Sequence, residues 1–229
     1  MKIIDPNLST VVKILNKENI FFWIGQGSLL GIIRNNKLID WDHDIDICVW
    51  HELNDKNKVI KAMISGGFVY RDDLEIDNNR EQLSFDKKGG RRVDINFYQK
   101  GISSDGVEIA YIKWVIPSNF FMRIIDAFSI TDINTSRYEF ILKKLNFLRP
   151  FFIFLKKKLI KKKLFYSYAG YQQPLELLKQ FKLIDFNNMK LNIPLQSEKY
   201  LEYLYGKNWR QPKKEFSWWK VKNIKKDFK

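Results

Sequence analysis

The seven residues Asp44-Ile-Asp-Ile-Cys-Val-Trp50 alternate without a break. Ile45, Ile47 and Val49 fall on one side, and Asp44, Asp46 and Cys48 on the other. Successive side chains of a strand point to opposite faces, so this pattern demands a half-buried strand with two carboxylates side by side on one face. Two such groups repel, and one of them tends to keep a proton unless a cation lies between them. Asp44 and Asp46 are therefore candidate ligands for Mg2+ or Mn2+, hard ions that take carboxylate and phosphate oxygens. Asp94 lies in the apolar stretch Val93-Asp-Ile-Asn-Phe97. It becomes a third ligand if that stretch is a neighbouring strand.

Upstream, Gly25, Gly27 and Gly31 surround Ser28 between an apolar run (Ile20 to Ile24) and a helical pattern running to Asn35. Backbone N–H groups at a helix start attract phosphate, and glycine lets it approach closely. Gly27 and Ser28 are the candidate phosphate-binding turn, with Ser28 as a first-turn or capping residue. Arg34 could grip a phosphate or pair with Asp40. Asp42 could be a fourth metal-site acid or a turn residue. His43 reads as a loop residue, His51 as a helix flank and Cys48 as a small buried hydrophobe.

The rest of the first half alternates helical and strand signals. Pro6 to Asn19 and Glu52 to Ser65 read as helices, the second stopping at Gly66-Gly67. Phe68 to Arg71, Gln82 to Asp86, Arg92 to Tyr98 and Val107 to Val115 read as strands, with Lys88-Gly89-Gly90 turning a hairpin. The fold class expected is α/β (α+β), a mixed sheet flanked by helices and contained largely in the first half. Asn119 to Tyr168 is helical in pattern, and Pro174 to Phe181 and Ser197 to Tyr205 read as shorter helices. The expected organisation is a core over 1–115, a basic helical insertion over 116–175 and a helical part over 176–229 that completes the core.

The formal charge of +14 has a location. Phe140 to Leu175 holds nine Lys/Arg and no acid, and Lys213 to Lys229 holds seven Lys against two acids. The remainder balances, which points to a local anionic partner rather than a general polyanion binder. Phe140 to Phe165 interleaves apolar residues with Lys clusters, and Pro150 breaks it into two helices. It reads either as an interfacial segment or as a hairpin packed on the core with a solvated Lys face. On the first reading Phe151, Phe152, Lys156, Lys157, Lys161 and Lys162 meet an anionic membrane surface, and Trp218 and Trp219 in the tail assist. No apolar run reaches the ~18 residues of a spanning helix. A single cysteine excludes an internal disulfide framework. With no signal-peptide pattern at its start, the chain is expected in the cytoplasm, held peripherally at the inner face of the cytoplasmic membrane.

Gly27-Ser-Leu-Leu-Gly-Ile-Ile-Arg34 followed by Trp41-Asp-His-Asp-Ile-Asp-Ile47 resembles the LicD family, which includes the fukutin-type proteins, within the polymerase β-like nucleotidyltransferase superfamily. Val93-Asp-Ile95 and the segment Ile193-Pro194, Tyr200-Leu201, Tyr205-Gly206, Trp209 and Pro212 extend the likeness. The resemblance implies a nucleotidyltransferase-like core and transfer of a phospho-alcohol unit from a CDP-activated donor, CDP-choline favoured, to a sugar hydroxyl of a glycan or lipid-linked glycan. It maps Asp44, Asp46 and Asp94 to the metal-binding acids and Asp94 to the group that helps deprotonate the acceptor. It also maps Gly27-Ser28 to the phosphate turn.

Residues 116–175 match nothing in the family core. One rival is transfer of a nucleoside monophosphate to a small molecule, which releases pyrophosphate rather than CMP. The other is a nucleic-acid-binding module. It is disfavoured because the Lys clusters alternate with bulky aliphatics rather than with exposed stacking aromatics.

Overall fold

The computed structural model describes residues 5–71, 81–129, 139–162, 164, 166–214 and 224–226. The chain is α+β and divides into two compact units. The first comprises Met1–Arg71, Glu81–Ile112 and Tyr171–Ile224, and the second Asp72–Arg80, Lys113–Gly170 and Lys225–Lys229.

The first unit is built on a mixed sheet. Strand β1 (Trp23–Ile24) runs antiparallel to β2 (Asp44–Trp50), and β2 runs parallel to β5 (Arg92–Ile102). On β5, residues 93–96 also pair with β4 (Gln82–Asp86), and β4 pairs with β3 (Val69–Tyr70). The far end of β5 pairs with β6 (Glu108–Pro117). Strand β6 and its neighbour β7 (Tyr166–Pro174) carry the chain out of the first unit and back.

Strand β2 is central, so it is buried on both faces from Ile45 onward rather than half-buried. Ile45, Ile47 and Val49 join the apolar core, while Asp46 and Cys48 are enclosed on the other face. Trp23 anchors an aromatic cluster, with Trp50 at 5.0 Å, Phe181 at 5.1 Å and Tyr98 at 5.6 Å between ring centroids.

Helices from the first 65 residues pack on this sheet. Helix α1 (Pro6–Lys17) starts with Pro6 in its first turn and with Asp5 accepting from the Asn7 N–H, and it buries Leu8, Val11, Val12 and Leu15. Helix α2 (Gln26–Asn35) follows β1 directly. Helix α3 (Lys56–Ser65) is capped by Asp55, buries Val59 and Met63, and ends at Gly66-Gly67, where Gly67 takes φ +83°.

In the second unit, α4 (Phe120–Ser129) packs on α6 (Arg149–Lys161), with the short α5 (Glu139–Lys144) between them in sequence. Ile125 is the buried centre, surrounded by Met122, Phe152, Leu155, Leu159 and Ile160. Phe152 stacks on Phe128 at 4.7 Å. Pro150 occupies the first turn of α6, where its missing N–H costs nothing.

The second half is less helical than its pattern suggests. Residues 181–194 form a hairpin, β8 (Phe181–Phe186) with β9 (Met189–Pro194), and β10 (Ile224–Lys226) ends the sheet order. The expected helix over Pro174 to Phe181 shrinks to a 3-10 turn at Leu175–Leu178. The hairpin over 181–194 turns at Asn187-Asn188, with φ +48° and +62°, a left-handed pair that Asn tolerates and that suits a two-residue connection. Helix α7 (Ser197–Tyr205) lies where the sequence places it. Trp218 and Trp219 lie outside the described residues.

Candidate active site

The parallel register of β2 and β5 sets Asp46 directly beside Asp94. On the other side of Asp94 lies Ser84 of β4. Paired residues of adjacent strands project from the same face, about 5 Å apart. A buried polar row, Asp46–Asp94–Ser84, therefore crosses three strands. One step toward the strand starts, Asp44 pairs with Arg92, whose guanidinium bonds Asp86 at 3.1 Å. One step the other way come Cys48, Asn96 and Gln82.

The glycine segment wraps Asp46. The Gly27 N–H donates to Asp46 Oδ2 at 3.0 Å and the Ser28 N–H to the same oxygen at 3.4 Å. In return the Asp46 backbone N–H donates to Ser28 Oγ at 2.9 Å, and the Gly25 N–H donates to the Asp46 carbonyl at 3.3 Å. Helix α2 begins two residues earlier than its sequence pattern suggests, with Gly25 rather than Ser28 as cap. Ser28 instead turns its hydroxyl to β2. The N–H groups expected to face a phosphate thus hold an aspartate of the chain itself. A carboxylate suits the positive end of a helix for the same electrostatic reason that a phosphate does.

Glycine is needed here for closeness. A Cβ on Gly27 would meet Asp42 Oδ2 at 2.6 Å and Asp46 Oδ2 at 3.3 Å. A Cβ on Gly25 would meet Cys48 Sγ at 2.5 Å and Tyr200 Oη at 3.4 Å.

Four acids share this corner. Burial, and after it the charge of Asp44, push the Asp42 carboxyl up to about 7, and a hydrogen bond with Asp44 adds to the rise. The carboxyl of Asp46 is held well above its ordinary range, by burial first and then by Asp44, Asp42 and Asp94. The turn position expected of Asp42 is observed, and its carboxyl lies beside that of Asp44. In that turn before β2 its Oδ1 accepts from the His43 N–H.

The donor set is all carboxylate oxygen, the chemistry that fits a hard divalent cation, and a cation would relieve the repulsion just described. Among the described residues no group of three or more His, Cys, Asp or Glu side chains is already posed as a ligand set. Asp46 Oδ2 is spent on two N–H groups, and Asp42 is turned to Asp44.

Several expected residues sit elsewhere. Arg34 lies in the last turn of α2, about 10 Å along the axis from Gly27, and bonds Asn35. The partner of Asp40 is Lys37 at 2.6 Å, not Arg34. Cys48 is fully buried, and enclosure together with Asp46 raises its thiol well above the usual range. His43 is exposed, and the His51 ring packs against Phe97.

Two of the proposed membrane residues are misplaced by the sequence reading. Lys156 is buried against Asp126 at 2.7 Å, and Phe152 is half-buried inside the second unit. Phe151, Lys157, Lys161 and Lys162 are exposed.

Ser84 escaped the sequence reading. Its one signal is the alternation Gln82-Leu-Ser-Phe-Asp86, which puts Ser84 opposite Leu83 and Phe85.

Residues 19–122 match the family model described as LicD/FKTN/FKRP, nucleotidyltransferase domain. That segment holds all four acids and the glycine turn, and it stops before α5 and α6. The human ribitol-5-phosphate transferase FKTN is 21% identical over 211 residues, 92% of this chain and 34% of that protein. The human ribitol 5-phosphate transferase FKRP is 31% identical over 80 residues, 32% of this chain and 16% of that protein. An uncharacterised protein of Rickettsia prowazekii is 45% identical over 40 residues, 18% of this chain and 15% of that protein. The chain thus spans at most about a third of the length of these relatives. Over residues 19–122, which carry the acid row and the turn that grips it, the chain is similar to the LicD/FKTN/FKRP nucleotidyltransferase-domain family.

Proposed function

We propose that this protein is a phosphotransferase that moves a phospho-alcohol group from a CDP-activated donor to a sugar hydroxyl of a glycan or lipid-linked glycan. The observation that carries the reading is the register placing Asp46 beside Asp94, next to Asp44 and Asp42. A buried group of like charges is costly to keep without a chemical use.

Asp44, Asp46 and Asp94, with Asp42 beside them, would hold Mg2+ or Mn2+. Such a cation supplies charge neutralisation at a donor diphosphate. The chain's own residues do the rest. Gly27 and Ser28 fix the Asp46 carboxylate, so its orientation needs no reorganisation during the reaction. Asp94 accepts the proton of the acceptor hydroxyl. The hydroxyl oxygen then bonds to the phosphorus bearing the alcohol, the bond to the CMP oxygen breaks, and CMP leaves.

Two relatives are named as ribitol-phosphate transferases, which supports ribitol phosphate as one candidate cargo. Phosphocholine is favoured by a different observation. The exposed Trp41, next to Asp42 in the chain, has the Lys214 ammonium over its ring at 5.9 Å. An indole face that attracts an ammonium also suits the quaternary ammonium of choline. Peripheral attachment to the inner face of the cytoplasmic membrane completes the proposal. Among the described residues no helix is long and apolar enough to cross a membrane.

The test is incubation with CDP-choline, CDP-ribitol and other CDP-alcohols in Mg2+ or Mn2+, with and without sugar acceptors. Release of CMP supports the reading. Release of pyrophosphate from CTP in the presence of a small acceptor supports nucleotidyl transfer instead.

A further inference from the structure

We infer that the second unit is a bilayer-docking module that inserts phenylalanine side chains and sets lysines against anionic lipid headgroups. The inference deepens the peripheral attachment proposed above and rests on it, but it needs none of the transfer chemistry.

Six phenylalanines of this unit, Phe120, Phe121, Phe140, Phe147, Phe151 and Phe154, are each 60–77% exposed. Single exposed apolar side chains are ordinary, but six Phe within 35 residues are not. Helix α6 carries two of them, Phe151 and Phe154. Phe151, Phe154, Lys158 and Lys161 recur at i, i+3, i+7 and i+10, one stripe of a helix, and all four are exposed. Phe152, Leu155 and Leu159 lie on another arc and pack around Ile125. The helix therefore has an inner apolar face that builds the unit. Its outer stripe is aromatic at the start and basic at the end.

Lys156, inside the first lysine triplet, is buried against Asp126, so it belongs to the scaffold and not to the docking face. Ile124 and Ile141 add exposed aliphatic surface.

Charge selects the occupant. From Phe140 to Leu175 the chain has no acid. A second copy docking through this face would bring lysine stripes together, whereas an anionic bilayer offers both apolar depth and negative headgroups. Exposed rings among lysines also occur in single-stranded nucleic-acid binders, so the sequence-level ground for disfavouring that partner does not hold in the structure. The exposed isoleucines have no stacking role and favour lipid.

The experiment is flotation of the full chain with vesicles of phosphatidylcholine alone or with about a third phosphatidylglycerol, alongside a fluorescent oligonucleotide titration. The variants are F151A/F154A and K158Q/K161Q. Their side chains are exposed, so retained folding is checked simply by circular dichroism.

The expected result is flotation with anionic vesicles, weakened at least about tenfold by the Phe pair and roughly 30-fold by the Lys pair. Release of CMP on a soluble acceptor should be unchanged in both variants. Wild-type flotation that the Phe pair leaves untouched overturns this surface while leaving peripheral attachment standing. Absence of flotation, equal binding to both vesicle types, or tight binding to the oligonucleotide alone overturns the inference.

Discussion

Ser28 and Asp46 exchange hydrogen bonds in both directions. The Ser28 N–H donates to the Asp46 carboxylate, and the Asp46 N–H donates to the Ser28 hydroxyl oxygen at 2.9 Å. This reciprocal pair ties the first turn of α2 to the strand that carries the acids. Replacing Ser28 by Ala removes a buried acceptor and leaves the Asp46 N–H without it. We expect a loss of about 1–3 kcal/mol in denaturant unfolding. Turnover should fall about 10- to 100-fold, because Asp46 is no longer held. Unchanged turnover in a destabilised Ser28→Ala protein would show that the pair is purely structural.

Asp46→Asn should act in opposite directions on stability and activity. It removes one ionisable carboxyl from the crowded group of four, so above pH 7 metal-free protein should melt at a higher temperature than wild type. Its CMP release should drop by orders of magnitude. A thermal scan and a progress curve on one preparation read both, and near-normal turnover would remove the acid-row argument.

The raised carboxyl of Asp42 fixes the sign of a pH effect. An acid that titrates near 7 when folded, against 3.8 in the unfolded chain, binds more protons in the folded state between those values. Stability then falls as pH rises through that window. Asp46, also raised, works in the same direction. Metal-free protein should therefore lose melting temperature from pH 5 to pH 8. Mg2+ or Mn2+ should raise it more at pH 8 than at pH 5. A flat profile, or a larger metal effect at low pH, would contradict the picture of four crowded acids.

Lys156 offers a test inside the second unit. Lys156→Ala strips the buried partner from Asp126, which keeps some contact with water. The cost should lie toward the low end of ~3–5 kcal/mol. Lys157→Ala, one residue on and exposed, should change stability by less than about 0.5 kcal/mol. Equal effects would mean the two lysines have been assigned to the wrong faces.

The acid row was legible because strand period 2 is unforgiving. Once Asp44 and Asp46 alternate with isoleucines and Asp94 sits in an apolar strand, a parallel pairing is enough to bring them together. What the local pattern could not carry was partner choice. Lys156, Lys157 and Lys158 are identical by composition, and which one turns inward depends on Asp126, thirty positions earlier.

The glycine turn reads as a phosphate cradle until a carboxylate from β2 arrives, and that carboxylate comes from a distant element. Ser84 is an ordinary strand serine until β4 lies against Asp94. The β8–β9 hairpin did leave a local mark in Asn187-Asn188, a turn signal that the reading of Pro174 to Phe181 as a helix does not reach.

The central claim, that Asp44, Asp46 and Asp94 meet around one divalent cation, is tested most directly by Mn2+ binding followed by electron paramagnetic resonance. Wild type, Asp44→Asn and Asp94→Asn should be compared at pH 8, with no donor present. The account predicts one bound ion per wild-type chain, and affinity at least about tenfold weaker in each variant, since each loses a charged ligand. Binding in Asp94→Asn equal to wild type would contradict it.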